Sequence, residues 1–123
     1  MFGWRKLPLT IASFALAVPL AAAQTTTFDG HYAGASAHAT KSTPSQRKCP
    51  RESTPDSLSI ANGVVHSTGH DRWAGTVSPD GSLVIRNRRH MRVSGQIDPQ
   101  GTISGEYHGP ACIVAYVWHK QSG

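Results

Sequence analysis

One short pattern occurs twice in this chain and settles much of what it can fold into. Trp73-Ala74-Gly75-Thr76-Val77-Ser78-Pro79-Asp80-Gly81-Ser82-Leu83 returns, twenty residues on, as Val93-Ser94-Gly95-Gln96-Ile97-Asp98-Pro99-Gln100-Gly101-Thr102-Ile103. The shared form is apolar-x-Gly-x-apolar-[Ser/Asp]-Pro-x-Gly-[Ser/Thr]-apolar. Proline at the second turn position presets φ, and glycine near the end of the turn accepts a positive φ. Each copy is therefore strand–turn–strand. Gly75 and Gly95 remove side chains inside the strands, where a small curved sheet bends or needs room. Two copies are too few for a propeller or solenoid, whose periods are also longer. The repeat predicts an antiparallel meander.

The flanking sequence keeps the same period of two residues. Phe28–Ala39 alternates, with Ala33, Ala35, Ala37 and Ala39 on one face and Tyr32, Ser36 and His38 on the other. Leu58 and Ile60 lead into Asn62-Gly63, the strongest two-residue hairpin signal, and the chain returns through Val64–Ser67. Further strands are expected at Arg72–Val77, Ser82–Arg86, Met91–Ile97, Thr102–Tyr107 and Ala111–His119. No stretch combines helical spacing with helix caps. Between the first two strands, residues 40–56 are rich in Ser, Thr, Pro, Lys and Arg and read as a long surface loop.

Residues 1–23 read differently from the rest. Arg5 and Lys6 form a basic head, Leu7–Leu20 is an apolar run of 14 residues, and Ala21-Ala22-Ala23 offers small residues for cleavage before Gln24. That is the three-part form of a secretory signal peptide, and the run is shorter than the ~20 apolar residues of a spanning helix. The expected mature domain is 24–123, a single β domain of 100 residues. The head carries two of the 12 basic residues and none of the seven acidic ones, so the mature chain has a net charge of +3. No segment after it has the length and apolarity to cross a membrane as a helix. The expected location is the periplasm or the extracellular space.

Export bears on the cysteines as well. Cys49 and Cys112 are the only two, and an even count in an oxidising compartment reads as one disulfide, closing a loop of 64 residues. About eight short strands with tight turns must also protect their edges. Curling the sheet until the first and last strands meet does so most simply. The fold expected is all-β, a single antiparallel meander of about eight strands rolled into an up-and-down barrel, with a two-sheet β-sandwich as the alternative. A barrel of such short strands is expected to be filled by its own side chains. An outer-membrane barrel is disfavoured, because its strands need about 9–11 residues each and aromatic girdles.

The phrases FDGHYAG (28–34), WAGTVSPDGSLVI (73–85) and VSGQIDPQGTISGEYHG (93–109), with the cysteine pair and the signal-like head, resemble small exported β-rich proteins of Gram-negative bacteria. At the level of fold the chain is similar to envelope inhibitors of lysozyme and of secreted metalloproteases. The resemblance carries no catalytic residue across. It implies a bacterial-envelope protein with one disulfide, and it makes inhibition of a lysozyme or protease, through the 40–56 loop, an alternative function.

Three groups of residues invite chemistry. Arg86-Asn87-Arg88-Arg89-His90-Met91-Arg92 places four arginines within seven positions between two strands, a hairpin tip able to grip phosphate or carboxylate. No aromatic residue interleaves with them and no nucleic-acid module is present, so an anionic envelope component or exported protein is the expected partner and no specific nucleic acid. Histidine is abundant: His31, His38, His66, His70, His90, His108 and His119 all follow the head. His66, His70 and Asp71 are weak candidate metal ligands, although no four-ligand spacing accompanies them. For catalysis there is no nucleophile elbow, Gly-rich phosphate loop or HExxH stretch. Asp80 and Asp98 fall in turns, and Asp29 and Glu106 beside Gly or Ser. The expected function is non-catalytic surface binding without a cofactor, with a histidine-based metal-binding protein as a further alternative.

Overall fold

Alternation becomes closure in the computed structural model, which describes residues 25–41, 49, 53–67 and 69–122. The head 1–23, the start at Gln24 and most of the 40–56 loop lie outside these residues. Eight strands follow one another as β1 (Gly30–Lys41), β2 (Leu58–Ala61), β3 (Val64–His66), β4 (Ala74–Val77), β5 (Ser82–Arg86), β6 (Arg92–Ile97), β7 (Thr102–His108) and β8 (Cys112–Lys120). Each pairs antiparallel with the next, and β8 pairs with β1, so the sheet is a closed barrel. Closure removes both edges and excludes the sandwich.

The inner face is set by the period of two. Leu58, Ile60, Val65, Val77, Leu83, Ile85, Val93, Ile97, Ile103 and Val114 are buried inside with Tyr32, Trp73, Tyr116 and Trp118. Burial of each large aliphatic side chain contributes about 1.5–3 kcal/mol. Three of the aromatics form one cluster: Trp73 meets Tyr116 and Trp118 edge-on at 5.6 and 6.0 Å, and Tyr116 stacks on Trp118 at 5.8 Å. Mid-strand glycines let neighbouring strands approach closely. A Cβ at Gly75 would strike the backbone of Val84 and Ile85, and one at Gly95 the backbone of Ser104 and Gly105.

β1 departs from the sequence expectation. Its register against β8 shifts between Gly34 and Ser36, a bulge at Ala35 that reverses the inward and outward positions. Tyr32 therefore points inward and is buried, and beyond the bulge Ala37 and Ala39 also pack on the core. The simple split of alanines from Tyr32 does not survive the extra residue. The strand also runs on through Thr40 and Lys41, two positions expected to be loop. Cys112, opposite Lys41, is bonded to Cys49 with Cα atoms 5.6 Å apart.

An up-and-down barrel sends successive connections to opposite ends. One end receives 62–63, 78–81 and 98–101, the tight turns, together with the N-terminal residues 25–29. The other receives 53–57, which lead into β2, and the connections 67–73, 87–91 and 109–111. At the turn end the connections lock to one another. Val77 N–H donates to the Gly63 carbonyl, Ile97 N–H to Gly81 and Lys120 N–H to Gly101, at 2.8–2.9 Å. Asn62 and Gly63 both have positive φ, 52° and 76°, as a two-residue type I′ turn demands. Residues 25–29 lie across this end: the Thr25 backbone approaches Gly63, the Phe28 ring approaches Gly81, and the Tyr32 hydroxyl donates to the Phe28 carbonyl at 2.6 Å.

Candidate functional site

Local chemistry at the loop end starts with Asn87. Its side-chain oxygen accepts from the backbone N–H of Arg89 and of Met91 at 2.9 and 3.0 Å, and its amide reaches the Met91 sulfur at 3.3 Å. The backbone closes in the same way as at both repeat turns. Asn87 N–H donates to Met91 O and His90 N–H to Asn87 O, just as Ser78 N–H meets Ser82 O with Gly81 N–H to Ser78 O. Asp98 N–H to Thr102 O with Gly101 N–H to Asp98 O completes the set. The arginine tip is thus a third copy of the turn. His90 occupies the left-handed position, at φ 63°, that Gly81 and Gly101 hold at 90° and 87°. Sequence comparison missed this copy because proline and glycine, the two residues that announce the turn, are replaced.

The tip does not stand alone. Arg88 N–H donates to the Asp71 carbonyl at 3.0 Å, joining 87–91 to 67–73. Asp71 N–H donates to the Asp56 carboxylate at 2.6 Å, and Asp56 N–H returns a bond to the Asp71 carboxylate at 3.2 Å. The Asp56 carbonyl in turn accepts from the Trp118 indole at 2.9 Å. Three connections are tied in series to the aromatic core. Loop 67–73 is closed on itself by Ser67 N–H to Trp73 O at 2.9 Å and Trp73 N–H to the Ser67 hydroxyl at 3.0 Å.

Between these connections and the wall of β8 lies a cavity of about 790 Å³. The barrel interior is filled as expected, but its loop end is not flush. β1 pairs with β2 only over Gly30–Tyr32, while Ser36–Lys41 continue along β8, so one side of the barrel stands higher than the short strands β2–β4. Trp73, Tyr116, Met91 and Pro55 supply apolar lining, and Arg88, Arg89, His70, Asp71 and Ser53 polar lining. Burial pushes the Tyr116 hydroxyl pKa up, with the negative charge of Asp71 and the nearby Tyr107 adding to it, so the hydroxyl stays protonated at neutral pH. The Trp73 indole N–H is buried and has no hydrogen-bond partner among the described residues.

The four arginines divide into two pairs. Arg88 and Arg89 line the cavity. Arg86 and Arg92 sit directly opposite each other across β5 and β6, exposed on the outer wall, because their neighbours Ile85 and Val93 take the inner positions. The histidines separate likewise. His66 is exposed on β3, opposite Ser59 and Ala74, whereas His70 and Asp71 line the cavity. Among the described residues no three His, Cys, Asp or Glu side chains are placed to share a metal ion. His66, His70 and Asp71 therefore do not form the suggested ligand set. No helix among the described residues is long and apolar enough to cross a membrane. Compared with known proteins by family model, by sequence and by structure, the chain matches none.

Proposed function

We propose that this is an exported, non-catalytic protein of the bacterial envelope that binds an anionic partner at the loop end of its barrel. The observation that carries the reading is the placement of Arg88 and Arg89 in the lining of the loop-end cavity. The disulfide fits a compartment outside the reducing cytoplasm, and the signal-like head and the resemblance to exported β-rich proteins agree with the periplasm or the cell exterior. Guanidinium groups suit carboxylate, sulfate and phosphate because their planar fork donates in pairs. The arginines on the outer wall add charge and no concavity.

Retention on heparin beads through a rising salt gradient tests this. Charge-driven binding weakens with salt, since the Debye length falls from about 10 Å at 0.1 M to about 3 Å at 1 M. The paired variant Arg88→Gln/Arg89→Gln should elute well before the parent, and Arg86→Gln/Arg92→Gln close to it. Equal elution of both pairs would reduce the cavity arginines to general surface charge. Inhibition of a lysozyme or protease remains the reading tied to the 40–56 loop, and a panel of such enzymes measures it directly.

A further inference from the structure

The loop-end cavity combines features that a landing patch for a polyanion does not need. It has mixed charge: Arg88 and Arg89 are joined by the carboxylate of Asp71, which would repel a ligand offering only negative charge. Trp73 and Tyr116 add aromatic lining beside these charges. The size, about 790 Å³, lies within the ~300–1,000 Å³ of small-molecule sites. The tip that brings the arginines there holds His90 in a left-handed backbone where both sister turns use glycine. Such local strain is found at functional positions.

We infer that this cavity is a small-molecule site for an acidic sugar, a single uronic acid or a disaccharide containing one. The acid group of such a ligand meets Arg88 and Arg89, and a ring hydroxyl donates to Asp71. The Tyr116 side chain supplies an aromatic wall for the C–H face of the ring. Each part of the ligand answers a group on the cavity wall. A fatty acid offers no hydroxyl to Asp71, and an inorganic sulfate would answer the arginines alone. The inference rests on the proposed binding function and narrows the partner from any anion to a sugar acid, free or at the end of an acidic glycan.

Tryptophan emission and calorimetry of the oxidised mature chain, titrated with glucuronic acid and with a glucuronate-containing disaccharide, test it. Saturable binding is expected for both, with glucose and inorganic sulfate at least tenfold weaker. Arg88→Gln/Arg89→Gln should weaken glucuronate by about a hundredfold, as expected for two charge-assisted hydrogen bonds. Asp71→Asn, whose side chain still accepts from Asp56 N–H, reads the other side of the site and should narrow the preference for glucuronate over sulfate. Sulfate binding as tightly as glucuronate, or glucuronate binding unchanged in the arginine variant, would overturn the sugar-acid assignment. If heparin retention depends on Arg88 and Arg89 while neither sugar acid binds, the inference falls and the broader anion reading stands. If heparin retention is also indifferent to them, both fall.

Discussion

The two ends of the barrel are built on different terms. At the turn end, three connections of two to four residues use proline, asparagine and glycine, and each accepts a backbone hydrogen bond from the end of a later strand. At the loop end, side chains add to the backbone bonds that join the connections: the Asn87 amide, the reciprocal Asp56–Asp71 bonds and the Cys49–Cys112 disulfide. Short backbone-bonded turns close the first end, while the longer connections of the second stand apart and leave the cavity between them.

The largest test of that contrast is reduction of the disulfide. Chain-entropy reasoning assigns about 4 kcal/mol to a crosslink closing a loop of 64 residues. Denaturant unfolding should show that loss as a lower midpoint. Amide exchange below the midpoint should speed up first in 53–57, 67–73 and 109–111, leaving 62–63, 78–81 and 98–101 protected. Equal acceleration at both ends would mean that the barrel opens as one unit and the ends are not independently held.

An exchange of residues between sister turns sharpens the comparison. Gly81→His should destabilise by about 1–3 kcal/mol, because φ there is 90° and a Cβ would press on the Ile97 carbonyl. His90→Gly, in the matching position of the loop end, should stabilise by about 0.5–1 kcal/mol by relieving the left-handed strain. Thermal melting of both variants gives the two signs. A loss of stability on His90→Gly would show that the histidine ring, and not the backbone, secures the tip.

The smallest effect is expected on the outer wall. Arg86 and Arg92 are directly opposed like charges, which disfavour a strand pair. Arg92→Glu should raise stability by about 0.2–1 kcal/mol, an increment that fades at high salt. A fall in melting temperature would mean that the two guanidiniums splay apart on the wall and use its surface.

How much of this was legible in the sequence follows the same division. The turn end was readable because its chemistry is local: Pro79, Pro99, Gly81, Gly101 and Asn62-Gly63 announce backbone states without reference to the rest of the chain. Strand count, closure and the disulfide followed from those turns, two-residue alternation and the cysteine pair. The β1 bulge was hidden, because alanines on both sides of Ala35 give a weak inside–outside signal. The third turn was hidden because Asn87 does with a side chain what proline and glycine do with the backbone. The division of the arginines could not be read before register placed Arg86 opposite Arg92. The cavity was least legible of all, since its lining comes from three connections and one strand distant in sequence and brought together by closure of the sheet.

Closure itself has a consequence for how the chain reaches this form. Seven of the eight pairings join strands that are neighbours in sequence, and only β1 with β8 joins the two extremes of the domain. Neighbour hairpins form on microsecond timescales, while a pairing of distant segments waits on a long loop search. Until that seam forms, β1 and β8 are the two longest strands in the molecule and both carry a bare edge. The cysteines sit beside this seam, one in the segment leaving β1 and the other opening β8. A covalent link made early in an oxidising compartment would shorten the search, so that the bond serves the newborn chain as a guide to its own far end.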